Sequence, residues 1–151
     1  MSRAFQPTEF PPWMNNMNHV VARFRDGKTL KGTSLNVDPA RPTFHVRTEN
    51  GAVEVKLMDL KALFFVKDPL GNPAHNEATE ATPGDQRLLG GKRVAIRFED
   101  RETIVGVANR FPPLGKFFFM LPIDPKSNNI RILVNRAATV AITEAPITAT
   151  R

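Results

Sequence analysis

The segment Arg23 to Gly32, RFRDGKTLKG, indicates how the chain is organised, because a related segment, RFEDRETIVG, begins at Arg97. Before each stretch, apolar residues recur at every second position, which is the spacing of a half-buried strand. They are Val20, Ala22 and Phe24 in the first copy, and Val94, Ile96 and Phe98 in the second. A repeated hairpin of this kind predicts that a whole supersecondary unit is duplicated.

The turns of the two copies are related but not identical. Asp26-Gly27 suits a tight hairpin turn, because glycine adopts positive φ easily. Arg101 stands at the position of Gly27 in the second copy, so that turn is expected to differ in type or to be strained. The next turn is Asn50-Gly51 in the first copy and the longer DPKSNN, 124–129, in the second. This insertion predicts a larger offset between the copies for the later strands, so that Leu63 and Phe65 match Val140 and Ile142.

Five short strands in each copy, without an amphipathic helix, predict an all-β protein of two tandem five-stranded SH3/Sm-like small barrels. The predicted boundaries are 19–68 for the first barrel, 69–91 for a linker rich in Pro, Gly and Ala, and 92–143 for the second barrel, with tails at 1–18 and 144–151. The residues expected to shape turns and bends are Asp26, Gly27, Gly32, Gly51 and Gly106.

Composition restricts the class of protein. The 151 residues are 41% hydrophobic, which is enough for a core, and include no Cys, so disulfides, thiolate ligands and a thiol nucleophile are excluded. No apolar run approaches the roughly 20 residues of a membrane-spanning helix. We therefore expect a cytoplasmic protein without membrane insertion.

The net charge of +6 is concentrated in residues 92–143, where nine Lys and Arg face four Asp and Glu. Basic charge favours nucleic acid as a partner, although singly spread Lys and Arg also suit a solvated surface. The candidates for contacts with nucleic acid or a nucleotide are Arg93, Arg97, Arg101, Arg110, Lys116 and Arg136.

FRDGKTLKGTSLNVD resembles the first signature of the Sm and Sm-like family. The matching positions are Phe24, Asp26, Gly27, Gly32, Leu35, Val37 and Asp38. The resemblance implies a small strongly bent barrel. The RNA contacts of that family imply an Asn after Asp38, which is absent here, and an Arg-Gly in the last turn, of which only Arg136 is present.

The whole chain also resembles an uncharacterised bacterial domain family with the motifs FxDGxxxxG and PxDPxxNNxRxxV. The second motif is here PIDPKSNNIRILV, Pro122 to Val134. The resemblance covers about residues 19–143 and implies a bacterial regulatory or adaptor module.

Motifs of catalysis are not found in the sequence. His19, His45 and His75 do not share a metal-ligand spacing, and neither a nucleophile elbow nor a phosphate-binding loop occurs. The sequence predicts a protein that is not an enzyme and that needs no metal or cofactor. Arg93 and Arg97 form the RxxxR of cyclic di-GMP-binding PilZ domains, but the downstream motif of those domains is missing.

Apolar residues on the outer sheet face are the most informative candidates. With Phe118 and Met120 pointing inward, alternation places Phe117, Phe119 and Leu121 outward, and Phe64 is placed outward in the same way. Clustered exposed Phe indicates a contact surface. Either the two barrels cover each other's Phe faces, or these residues bind a partner protein or a second copy.

The leading hypothesis is a non-enzymatic binding or adaptor module that acts through protein–protein contacts. The alternative is RNA or DNA binding by a basic barrel, and a cyclic dinucleotide is a third candidate.

Overall fold

The computed structural model describes residues 18–34, 37–68, 71, 75, 77–79, 86 and 90–145. The predicted tails and most of the predicted linker lie outside these residues. The all-β prediction is confirmed: the described residues contain ten strands, and 3-10 turns at Leu57–Asp59 and Arg136–Ala138 precede the last strand of each half. The strands are β1 Asn18–Phe24, β2 Thr29–Ser34, β3 Thr43–Thr48, β4 Gly51–Lys56, β5 Leu60–Val66, β6 Lys92–Phe98, β7 Thr103–Ala108, β8 Phe117–Pro122, β9 Asn129–Asn135 and β10 Thr139–Ala145. None of the described residues belongs to a helix that is long and apolar enough to cross a membrane.

The strands form a single antiparallel sheet in the order β10-β6-β7-β8-β9-β5-β1-β2-β3-β4. The duplication is visible in it, because β1–β5 and β6–β10 each take the local order five-one-two-three-four. The prediction of two separate barrels is wrong, since the sheet is continuous and the described strands close neither half into a barrel. The physical reason is the pairing of β5 with β9, which joins the fifth strand of the first half to the fourth strand of the second half.

Two hydrophobic cores lie along this sheet. The first core contains Val20, Ala22, Phe44, Val46, Val55, Leu57, Leu60, Leu63, Phe65 and Leu133. The second core contains Ala62, Phe64, Val66, Val94, Ile96, Phe98, Ala108, Phe118, Met120, Ile132, Val134 and Ala138. β5 is buried along its whole length because alternate side chains enter different cores.

The pairing registers correct the alignment of the later strands. Phe44 lies opposite Val55, and its equivalent Phe118 lies opposite Val134. Val55 is therefore equivalent to Val134, and the same spacing makes Leu63 equivalent to Ile142. The predicted match of Leu63 to Val140 was wrong by two positions. The reason is that the β8–β9 connection is two residues longer, relative to the β3–β4 connection, than the sequence alignment assumed. An error of two positions preserves the alternation within a strand, but Val140, which was matched to the inward Leu63, is the bulged residue of β10 and is 62% exposed.

The first hairpins of the two halves have the same hydrogen bonds. The Phe24 amide donates to Lys28 O and the Gly27 amide to Phe24 O, and the Phe98 and Arg101 amides make the equivalent bonds. Gly27 has φ of 95° and Arg101 has φ of 75°. The second turn is therefore of the same type, and the strain expected for a side chain at positive φ falls on Arg101.

A second glycine in each half allows close strand packing. A Cβ on Gly106 would lie 2.5 Å from the Leu121 carbonyl oxygen, and a Cβ on Gly32 would clash with the Arg47 carbonyl. These glycines lie where β2 crosses to β3 and where β7 crosses to β8, and each crossing has very few paired residues. The bend predicted at both positions therefore requires glycine, because a side chain there would clash with the next strand.

Charged side chains hold the two halves in one arrangement. Arg25 binds Glu99 through two hydrogen bonds of 2.8 and 3.0 Å, and Arg23 lies 3.0 Å from Glu102. The hydrogen bond with Arg25 holds the pKa of the Glu99 carboxyl below its ordinary value. Arg25 and Glu99 occupy the same position in the two copies, so divergence after duplication made this position complementary.

Lys61 adds a buried contact between the halves. It is 3% exposed, and its ammonium donates to Asp100 at 2.7 Å and to Glu102. The same ammonium lies 4.9 Å from the centre of the Phe98 ring. The halves are therefore joined by backbone pairing, ion pairs and one buried cation.

Candidate functional site

The outer face of β8 carries the apolar residues that the sequence singled out. Phe119 is 37% exposed and Leu121 is 36% exposed, while Phe117 is half-buried against the first core. Together with Arg131 on the neighbouring strand β9, these side chains are called the aromatic face below. Phe117 and Phe119 are two positions apart on β8 and therefore lie on the same face of the sheet.

Arg131 lies between two phenylalanine rings of different halves. Its guanidinium carbon is 4.3 Å from the centre of the Phe65 ring and 4.6 Å from that of Phe119, and the two rings are 6.1 Å apart. A guanidinium in such a position is attracted by both ring faces. Sequence reasoning missed Arg131, because its contact with Phe65 depends on the pairing of β9 with β5.

Phe64 does not belong to the aromatic face. It is 6% exposed and packs into the second core, with Arg23 5.7 Å above its ring. Residues of the other half of the chain bury Phe64 and part of Phe117. Phe119 and Leu121 keep more than a third of their surface in water, so the internal contact does not account for them.

The six basic candidates are not brought together in one cluster. Arg93 donates to the Thr79 carbonyl at 3.0 and 3.2 Å. Arg136 donates to the carbonyls of Gly115, at 2.9 Å, and Pro113, and lies 5.1 Å from the Phe118 ring. These two guanidinium groups serve the fold. The remaining candidates are exposed; they are Arg97, Arg101, Arg110 and Lys116.

A groove of about 420 Å³ lies where β1 and β2 of the first half face β7 of the second half. Its apolar base includes Val21, Phe64 and Ile132, and the Arg23–Glu102 pair lies at its side. Residues 77–79 form part of its wall.

Asp124 attaches those residues to the β8–β9 turn. Its side chain accepts hydrogen bonds from the Ala78 and Lys126 amides and from His75 Nε2, each 2.8 Å long. Burial raises the pKa of the Asp124 carboxyl, but these hydrogen bonds outweigh burial and hold the pKa below its ordinary value. The bond from the Lys126 amide makes Asp124 the cap of the β8–β9 turn.

His75, Glu77 and Asp124 offer ligand atoms within 4.8 Å of one another. Such a group is compatible in geometry with a small cation. However, both Asp124 oxygens already accept hydrogen bonds from the protein, so the contacts of this group are accounted for by its structural role.

Comparisons with known proteins place the chain by family. Residues 16–144 match the profile of a family of unknown function, DUF6982, and this range contains both motifs by which the sequence resembled an uncharacterised family. Neither the curated proteins nor the solved structures include a match to the chain. Because the profile covers most of its length, the chain belongs to the DUF6982 family.

Proposed function

We propose that the protein is a non-enzymatic binding module that contacts another protein through the aromatic face. The observation that carries the proposal is the exposure of Phe119 and Leu121 beside Arg131. Aromatic residues, including phenylalanine, and arginine are enriched in protein interfaces, and arginine is among the residues that contribute most to their binding energy.

The arrangement of Arg131 supports a preformed contact surface. Its guanidinium is held by Phe65 and Phe119 before any partner arrives, so little side-chain entropy remains to be lost on binding. Phe65 itself is buried in the first core and belongs to the fold. A partner would therefore contact Phe119, Leu121 and the outer edge of Arg131.

Photo-crosslinking in the native cell tests this proposal directly. A photoreactive amino acid at position 119 is expected to capture a defined protein, whereas the same amino acid at the more exposed Leu114, in the β7–β8 connection, is not. The Leu121→Ser change should reduce capture from position 119 about threefold, since only the exposed third of Leu121 remains for a partner to bury and this is worth about 0.7 kcal/mol. Equal capture from positions 119 and 114, with the fold intact by circular dichroism, would remove the aromatic face as the binding surface.

Nucleic-acid binding is the second candidate, favoured by the exposed Arg97, Arg101 and Arg110 in the basic half. An exposed ring near arginine is also a platform on which bases stack. Binding of RNA or DNA fragments should then weaken steeply as salt is raised, and crosslinks from position 119 should contain nucleic acid. If RNA and DNA fragments show no binding when the protein is titrated into them at low salt, this function is excluded.

A further inference from the structure

The contact between the two halves is a strand pairing that the duplication could repeat. Inside the chain, β5 pairs with β9, so a fifth strand pairs with the fourth strand of the other copy. The two strands left at the ends of the sheet are β4 and β10, which are the fourth strand of the first copy and the fifth strand of the second. Within the described part of the chain, each of these has one neighbouring strand.

We propose that β4 of one molecule pairs with β10 of a second molecule, and that this contact repeats the internal β5–β9 pairing. The contact is heterologous, because the two surfaces differ, so successive molecules are added head to tail. Backbone groups at an exposed sheet edge are ready to pair with another strand, and the internal contact shows which strand has the matching geometry.

The internal register predicts the register between molecules. Inside the chain, Leu63 lies opposite Leu133, and Phe65 lies opposite Arg131. When each residue is replaced by its equivalent in the other copy, Ile142 lies opposite Glu54, and Glu144 lies opposite Ala52. The second member of each new pair belongs to β4.

The different burial of Phe24 and Phe98 supports this contact. Phe98 is fully buried because Lys61 of the other half covers its ring, whereas the equivalent Phe24 is only half-buried. The residue equivalent to Lys61 is Val140, since each is the bulged residue of its strand pair. Val140 is 62% exposed. In the proposed contact, Val140 of a second copy covers Phe24.

The charges at one pair of equivalent positions, Arg25 and Glu99, are also compatible with the contact. Arg25 and Glu99 are equivalent and bind each other across the internal contact. In a head-to-tail row the same positions meet between molecules, so each Arg25 lies between two Glu99 side chains. Repulsion between like charges is thereby avoided at the position nearest the hairpins.

The contact between molecules is more polar than the internal one. Glu54 replaces Leu133, and Glu144 replaces Phe65. Lys28 stands where Glu102 binds Arg23 and Lys61 inside the chain, so it faces Arg97, the equivalent of Arg23, and this like-charge pair weakens the contact between molecules. Polar contacts with water nearby add less stability than the buried contacts within the chain. We therefore expect association that depends on protein concentration rather than a permanent assembly.

Disulfide trapping tests the register, and the natural absence of Cys leaves no competing thiol. Directly opposed residues in an antiparallel pair have Cα atoms about 5 Å apart, which suits a disulfide. A chain carrying both Ala52→Cys and Glu144→Cys should oxidise to a ladder of dimers, trimers and larger species. A mixture of the two single variants should stop at the dimer. The control pairs Glu144→Cys with Lys56→Cys, which lies four residues along β4 and so roughly 13 Å away.

Sedimentation measures the association without crosslinks. Val140→Asn should weaken it about tenfold, whereas Leu114→Asn, at 63% exposure in a loop, should leave it unchanged. If sedimentation gives only the monomer mass at the highest soluble concentration, the proposal is overturned. It is also overturned if the Ala52→Cys/Glu144→Cys chain gives no more disulfide-linked ladder than the Lys56→Cys/Glu144→Cys control. Dimers of Ala52→Cys alone, at the yield of the mixed pair, would show β4 pairing with β4 and would overturn it as well.

Discussion

The Asp100→Asn/Glu102→Gln variant is expected to lose about 3 kcal/mol of unfolding free energy, because the buried Lys61 ammonium then has no carboxylate partner. In the native protein that ammonium donates to both carboxylates, and Lys61 is 3% exposed. Amide oxygens can still accept its hydrogen bonds, which keeps the cost below that of a wholly unpaired buried charge. Asn at position 100 also preserves the hydrogen bond from the Glu102 amide that shapes the turn.

Removing the cation itself should cost much less. The side chains of Asp100 and Glu102 are 48% and 40% exposed, so water replaces the lost ammonium when Lys61 becomes Met. The methionine chain still covers the Phe98 ring, and the lost ion pair is largely offset by the hydration of its acids. We expect Lys61→Met to cost about 1 kcal/mol.

Denaturant unfolding of the two variants and of the triple variant provides the assay. The triple variant should resemble Lys61→Met, which corresponds to a coupling of about 3 kcal/mol between the cation and its acids. The dependence of the unfolding free energy on denaturant concentration should be the same for all the variants, so that the comparison refers to one unfolding transition. If Lys61→Met cost as much as the double acid variant, the asymmetry derived from burial would be refuted.

Two further predictions concern the turns. Asp124 has a lowered pKa in the folded state, so its contribution to stability is present above the unfolded pKa near 4 and is lost as pH falls through the folded pKa. Asp124→Asn should therefore cost about 1 to 2 kcal/mol at pH 7 and should lose less stability than the wild type on acidification; parallel acid curves would contradict this. Arg101→Gly should raise the unfolding free energy by about 0.5 kcal/mol, because relief of the strain at φ of 75° exceeds the entropy that glycine adds to the unfolded chain. A fall in thermal midpoint would show that the turn carries no such strain.

Local features of the chain were predictable because local chemistry determines them. The alternation around Phe24 and Phe98 indicated inward residues in β1 and β6, and both side chains pack on a core. Asp26-Gly27 indicated a hairpin that the structure contains. The spacing within a single strand fixes which side chains share a face, whatever that face later contacts.

The aromatic face was predictable only in part. Alternation placed Phe119 and Leu121 outward, where they are exposed. The same reasoning placed Phe64 outward, but its outer side became the wall of the second core. Alternation separates the two faces of a strand, but it does not state whether water or another part of the chain lies on each.

The duplicated set of five strands could be recognised from the order of the residues alone, since apolar spacing and turn residues act within a few positions of each other. By contrast, the shared sheet formed through β5 and β9, and the contacts of Lys61 and Arg131 with residues of the other half, became known only from the folded molecule. The physical reason is that backbone amides and carbonyls are the same at every residue. Which strand edges meet therefore depends on how all ten strands bury their side chains together.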